Sequence, residues 1–142
     1  MAIRDALIRL SKWKVDEVRR KLAVLASAKA EVEKEGVHLE TSVVREQALA
    51  EQAPGGELLY HGFAQGVIMK REALSRQMDE LEGLMEQVRA QVNTAYAELK
   101  KYEIAEEQHQ LRERKERLRR GQISQDEITA SRFERARQRS SS

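Results

Sequence analysis

A stripe of apolar residues in the second half of the chain recurs in alternating steps of four and three. Its members are Leu74, Met78, Leu81, Met85, Val88, Val92, Ala95, Leu99 and Tyr102. Charged or polar residues occupy nearly every position between them. A stripe with this heptad spacing lies along one face of a helix and is buried against a second helix, as in a coiled coil. A partner helix is therefore expected.

The first half of the chain carries a matching stripe: Ile8, Val15, Val18, Leu22, Leu25, Val32, Leu39 and Val43. Between the two stripes lies Ala53-Pro54-Gly55-Gly56, the only strong helix break, because proline lacks a backbone donor and glycine adopts angles that a helix forbids. We therefore predict an all-α fold: a long two-helix antiparallel coiled-coil hairpin. Its helices cover about 3–50 and about 58–120, joined by a turn at 53–56.

The heptad register is predicted to falter after Tyr102, because Glu106 and His109 fall on the stripe. A new apolar phase is expected to take over there, consisting of Ile104, Leu111 and Leu118. This shift resembles a stutter, at which a supercoil relaxes.

The last part of the chain, 122–142, is predicted to be a short helix with a disordered end. Gly121 is expected to terminate helix two. Ser124 and Glu127 form a capping-box pattern, which predicts a marginal helix over about 125–138. Residues 139–142 are expected to be disordered.

The composition is typical of long helices rather than of a compact globule, with 35% charged and only 4% aromatic residues. The chain has no cysteine, which excludes disulfides and thiolate metal sites. No apolar run approaches the roughly 20 residues needed to cross a bilayer. The first ten residues lack the apolar region of a secretory signal. We therefore expect a cytosolic protein.

Charge is segregated along the chain, although the formal net charge is only +2. Residues 1–29 hold eight Lys and Arg against three Asp and Glu, residues 30–111 hold eight against sixteen, and residues 112–142 hold ten against five. In an antiparallel hairpin the two basic ends are expected to lie together, with the acidic stretch toward the turn. Such a molecule can orient itself against a charged partner.

The sequence contains no recognisable catalytic constellation. The three histidines, His38, His61 and His109, are far apart and lack a carboxylate at ligand-like spacing. Gly62 and Gly66 are isolated within a helical pattern and do not form a phosphate-binding loop. We expect no enzymatic activity, no cofactor and no metal site.

Tyr60, Phe63 and Val67, with Leu74 farther along, lie at helical spacing just after the turn. These residues could pack the end of the hairpin against Val43 and Val44. Alternatively they could form a docking patch, because aromatic residues are favoured anchors at interfaces. The sequence leaves both interpretations open.

A basic segment covers residues 111–120, in which six Lys and Arg residues surround the helix. Nucleic-acid binding would explain such a segment. Glu113 and Glu116 interleave with the cations, however, and no aromatic residue is available for base stacking. A solvated helix end and a docking site for an acidic protein surface are the other two interpretations.

The chain resembles the FliJ family of flagellar export proteins over essentially its whole length. The resemblance rests on the coiled-coil hairpin and on a Y-x-x-F-x-x-x-apolar pattern opening helix two, here Tyr60, Phe63 and Val67. A basic end followed by Asp126-Glu127 in a charged C-terminal segment is also similar. FliJ proteins resemble the central stalk subunit of rotary ATP synthases.

The resemblance implies a cytoplasmic component of the flagellar type III export apparatus that acts as a central stalk of the export ATPase ring, links that ring to the export gate and escorts chaperones. It would be peripheral to the inner membrane and would touch it only through that apparatus. Its implied partners are the export ATPase (FliI-like), the export gate protein (FlhA-like) and export chaperones, with no nucleic acid. The implied gate-binding residues are Tyr60, Phe63, Val67 and Leu74. The implied ATPase-binding residues are Arg9, Lys12, Arg112, Arg114 and Arg117.

Two other functions are compatible with the sequence: a basic coiled coil associated with nucleic acid, and a scaffolding coiled coil. A flagellar and an injectisome system are not distinguished, and neither is the oligomeric state.

Overall fold

The computed structural model describes residues 2–141, which form two α-helices. α1 spans Ala2–Gln52 and α2 spans Gly56–Ser140. The two helices pack against each other as a hairpin, and no strand occurs within the described residues. The predicted all-α hairpin is confirmed.

α2 is longer than predicted. It continues without a break through Gly121, so the predictions of a helix end there and of a separate helix after it are wrong. One exposed glycine costs a helix only about 1 kcal/mol relative to alanine, and many of the residues that follow are good helix formers. Arg139 and Ser140 also belong to α2, contrary to the predicted disorder, whereas Ser142 lies outside the described residues.

Two glycines allow the chain to reverse between the helices. Gly55 has φ of 75°, a backbone conformation that favours glycine. A Cβ on Gly56 would lie 2.6 Å from the carbonyl oxygen of Ala50, so no larger residue fits there. The amide of Ala53 donates to the carbonyl of Leu49, and that of Gly56 to the carbonyl of Ala53, both at 3.1 Å. The predicted turn is therefore fixed by local sterics and by two backbone hydrogen bonds.

The chain divides into two compact units. The first, which we call the turn unit, comprises residues 10–97. Its buried apolar residues all belong to the predicted stripes or continue them toward the turn: Val15, Val43, Val67, Leu74, Met85, Val88 and Ala95. The remaining stripe residues of this unit are half-buried. The predicted apolar seam is therefore its core.

Two polar residues, Ser11 and Lys29, lie on the seam of the turn unit. Ser11 is buried with only 3% of its surface exposed. Lys29 keeps its amine at the edge of the seam, where the Nζ atom lies 3.5 Å from a carboxylate oxygen of Glu82 on the other helix. The aliphatic stem of a lysine can cover apolar surface while its charge remains in solvent.

The second unit, which we call the terminal unit, comprises the described residues 2–9 and 98–141. Leu99 is buried, and Tyr102, Glu106 and His109 continue the seam as half-buried residues. Arg4 lies 3.9 Å from Glu106, so an ion pair takes the place of an apolar contact.

The predicted change of apolar phase in the terminal unit is wrong. Ile104, Leu111 and Leu118 are all exposed, with Leu118 at 69%. The heptad register instead runs on through polar residues, and Arg4 lies 3.9 Å from Glu106 at one of these seam positions. Every residue from 117 to 141 is exposed.

Candidate protein-interaction surfaces

Tyr60 and Phe63 link the start of α2 to the end of α1. Both residues are half-buried, and their ring centroids are 6.2 Å apart with the rings tilted by 42°. Gln47 of α1 donates a hydrogen bond of 2.9 Å from its Nε2 atom to the Tyr60 hydroxyl. Tyr60 therefore helps to hold the hairpin together close to its turn, Phe63 lies beside it on α2, and each ring retains some accessible surface.

Val67 and Leu74 lie on the same inward face of α2 and are more deeply buried. Only 5% of Val67 and 7% of Leu74 is exposed. Residues 60, 63, 67 and 74 therefore continue the heptad seam toward the turn. The structure brings together all four residues that the resemblance assigns to gate binding, but it leaves accessible surface mainly on the two aromatic ones.

An ion pair joins the two helices beside this face. Arg71 donates two hydrogen bonds of 2.7 Å to the carboxylate of Glu40, one from Nε and one from Nη2. These hydrogen bonds lower the pKa of Glu40 from its usual value and raise the pKa of Arg71. Both side chains are about half exposed, so the pair fixes the geometry of the surface more than it stabilises the fold.

A group of exposed apolar residues near the turn lies outside the sites that the sequence predicts. Leu58 and Leu59 at the start of α2 are 83% and 80% exposed, and Leu49 and Met69 are also exposed. One signal was available in the sequence. Residues 58–69 contain no Asp, Glu, Lys or Arg in a chain that is 35% charged. Such an uncharged and exposed stretch is typical of an interaction surface.

The residues that the resemblance assigns to ATPase binding are all exposed: Arg9, Lys12, Arg112, Arg114 and Arg117. Lys12 belongs to the turn unit, whereas the other four belong to the terminal unit. The side chain of Arg9 donates from Nε to the carbonyl oxygen of Asp5 at 3.4 Å.

Part of the positive charge of residues 111–120 is compensated locally. Arg119 donates two hydrogen bonds to the carboxylate of Glu116, at 3.2 and 2.9 Å, and Arg120 lies 3.4 Å from the same carboxylate. The hydrogen bonds from Arg119 lower the pKa of Glu116, and the carboxylate raises the pKa of Arg119. Arg112, Arg114 and Arg117 are therefore the stronger candidates for contact with an acidic partner.

Among the described residues, no three His, Asp or Glu side chains are grouped so that they could hold a metal ion. His61 lies 3.4 Å from Gln65 within α2. His109 lies 3.0 Å from Glu113, four residues farther along α2, so the prediction that no histidine has a carboxylate at such a spacing is wrong for His109. Within the part of the chain that the structure describes, neither helix is long and apolar enough to cross a membrane.

Comparisons with known proteins give no relative for this chain: no protein-family model, no curated protein and no solved structure matches it.

Proposed function

We propose that this chain is a cytoplasmic adaptor of a type III export apparatus, which joins an export ATPase to an export gate protein and assists export chaperones. The proposal rests on the resemblance of the sequence to the FliJ family. The feature that best supports it is the coexistence of two chemically different exposed surfaces. One is the aromatic and apolar surface near the turn, and the other is the basic, fully exposed end of α2.

The gate-binding role is proposed for the face that contains Tyr60 and Phe63. Their rings combine a large apolar area with some remaining exposure, which suits an interface anchor. Val67 and Leu74 would support these rings from the buried side of α2. A partner that contacts the rings would therefore meet a surface held rigid by helix packing.

The ATPase-binding role is proposed for the basic residues Arg9, Lys12, Arg112, Arg114 and Arg117. A guanidinium presents several donors in a fixed plane, which suits the recognition of carboxylates on an acidic protein surface. In this proposal the ATPase performs the chemistry, and this chain transmits a mechanical or positional signal. Any association with the inner membrane would be indirect, through the export apparatus.

The two roles are tested by binding measurements with the purified export ATPase and the cytosolic domain of the gate protein. Phe63→Ala is expected to weaken gate binding at least tenfold while ATPase binding is retained. The triple change of Arg112, Arg114 and Arg117 to Gln is expected to weaken ATPase binding while gate binding is retained. Val24→Ala, another exposed apolar residue of the turn unit, serves as the matched control for Phe63.

Gate binding that is unchanged by Phe63→Ala would contradict the role of the aromatic face. Binding of nucleic acid by the arginine residues, with an affinity that falls steeply with salt, would favour the nucleic-acid function instead.

A further inference from the structure

The segment around the turn, residues 46–69, combines negative charge with exposed apolar side chains. We call it the turn surface. It contains Glu46, Glu51 and Glu57 but no Lys or Arg. Its exposed apolar residues include Leu58 and Leu59. Within residues 46–69 the charged side chains are these three carboxylates, although Arg45 precedes the segment and Lys70 and Arg71 follow it. An apolar surface whose own charges are carboxylates is complementary to an apolar helix that carries cations.

Two glycines on the turn surface have no explanation in the packing of the chain itself. Gly62 and Gly66 are four residues apart in α2, and therefore lie close together on the helix surface. A Cβ added to either glycine would meet no atom within 4 Å. Each glycine nevertheless costs the helix roughly 0.5–1 kcal/mol relative to alanine. Small residues at this spacing allow a second helix to approach closely, which adds to the evidence from the exposed leucines.

A segment of the same chain has the complementary chemistry. Residues 111–120, which we call the arginine segment, contain six Lys and Arg against two Glu. Leu111 and Leu118 are exposed, and their spacing of seven places them on one face of α2. The following residues to 141 are exposed as well. Helical segments without packing contacts are only marginally stable in water, so docking would stabilise this part of α2.

We propose that the arginine segment of one copy of this chain docks on the turn surface of a second copy. Leu111 and Leu118 would cover Leu58 and Leu59, while the surrounding cations would approach the three carboxylates of the turn surface. The contact joins two different surfaces, and each copy carries one arginine segment and one turn surface. Two copies can therefore bind each other reciprocally, or successive copies can associate head to tail into larger assemblies.

The expected contact is small, because the arginine segment is only about 15 Å long. Interfaces of this size lie at the weak, transient end of the range. We expect a dissociation constant on the order of 10 μM that rises at least tenfold with added salt, because charges at the rim are screened. This self-association does not rest on the proposed export function. If this self-association and the proposed export function are both correct, the ATPase and the second copy of the chain compete for the same arginine residues.

The experiment is sedimentation equilibrium of the full chain over about 5–200 μM at about 50 and 500 mM salt. Two double variants separate the surfaces. Leu58→Asp with Leu59→Asp alters the turn surface, and aspartate is well tolerated in the first turn of a helix. Leu111→Gln with Leu118→Gln alters the arginine segment with residues that also favour helix. Val24→Asp is the matched control at another exposed apolar position.

The wild type and the Val24→Asp control are expected to exceed the monomer mass of 16.3 kDa as concentration rises at low salt. Each double variant alone is expected to remain monomeric. An equimolar mixture of the two double variants is expected to associate again, because one retains an intact arginine segment and the other an intact turn surface. Far-UV circular dichroism checks that both variants keep the helical content of the wild type.

Three results would overturn the proposal. The first is a wild type that stays monomeric throughout the concentration range. The second is a mixture that does not associate although the wild type does. The third is self-association lost only in the turn-surface variant, which would indicate that two turn surfaces meet each other.

Discussion

Replacing Leu74 and Leu58 by alanine gives the same chemical change at two positions with opposite environments. Both residues belong to α2 and to the turn unit. Leu74 is 7% exposed, whereas Leu58 is 83% exposed. A difference in the effect of the two changes on stability therefore measures burial in the seam.

The expected cost follows from the buried area and from the cavity. Complete burial of a leucine side chain is worth about 1.5–3 kcal/mol, and Leu→Ala in protein cores costs about 2–5 kcal/mol. A seam between only two helices can partly close around a missing side chain, so Leu74→Ala should fall near the lower end, at about 2–3 kcal/mol. Leu58→Ala removes a side chain that is already in solvent, and its cost should stay within about 0.5 kcal/mol.

Urea denaturation followed by circular dichroism at 222 nm measures the free energy of unfolding for both variants. The urea concentration at the unfolding midpoint should fall clearly for Leu74→Ala and stay near the wild-type value for Leu58→Ala. The slope of the free energy of unfolding against urea concentration should be the same in both variants. An equal decrease in the free energy of unfolding for the two variants would refute the assignment of Leu74 to the core. No loss at Leu74 would show that the seam near the turn does not contribute to stability.

Three further predictions test other features of the structure. Gly121→Ala should stabilise α2 by about 0.5–1 kcal/mol, because an added Cβ meets no atom there. Gly56→Ala should destabilise the hairpin, because its Cβ would collide with the backbone of α1. Urea midpoints for the two variants should therefore move in opposite directions, and hydrogen exchange should slow around residue 121 only in the first. Glu106→Leu should stabilise the terminal unit by about 1 kcal/mol, because the buried Oε2 atom of Glu106 has no hydrogen bond and only a 3.9 Å ion pair with Arg4, whose own side chain is 44% exposed and would not be left as a buried charge. A urea midpoint below that of the wild type would contradict this. The Glu40–Arg71 pair should lose its contribution at acid pH. The pKa of Glu40 lies below its usual value of 4.5 in the folded state, so the pair stabilises the fold above that pH and the stabilisation disappears as pH falls through the lower folded value. The stability difference between the wild type and Glu40→Gln should shrink over that range, and an NMR titration of the Glu40 carboxyl at an unshifted pKa would contradict the assignment.

The hairpin could be predicted because its two determinants are local and strong. Alternating steps of three and four define one apolar face on each helix, and Pro54 with its two glycines defines the reversal. Both determinants depend on residue type and spacing alone. The seam residues of the turn unit therefore lie where the periodicity placed them.

The end of α2 could not be predicted by the same reasoning. Gly121 alone costs a helix only about 1 kcal/mol, and no proline follows it, so it does not end α2. The register after Tyr102 could not be predicted for a different reason. Local periodicity favours an apolar phase through Ile104, whereas the structure keeps Glu106 on the seam, 3.9 Å from Arg4. A pairing between residues so distant in sequence is not visible in local periodicity.

The candidate site was only partly predictable. Helical spacing identified Tyr60 and Phe63, but it could not separate a packing role from a docking role. The hydrogen bond from Gln47 shows a packing role for Tyr60, and Phe63 is half-buried beside it, while docking stays a proposal. The exposure of Leu58 and Leu59 depends on where the turn ends and on which face of α2 meets α1.

The proposed bridging of two partners by this chain can be measured in a three-component capture assay. The cytosolic domain of the gate protein is immobilised, and retention of the export ATPase is measured with and without this chain. We expect the ATPase to be retained only when the chain is present. Retention should be lost with Phe63→Ala and with the triple change of Arg112, Arg114 and Arg117 to Gln, and kept with Val24→Ala. If the chain binds neither partner, or if ATPase retention is the same without it, the bridging function is contradicted.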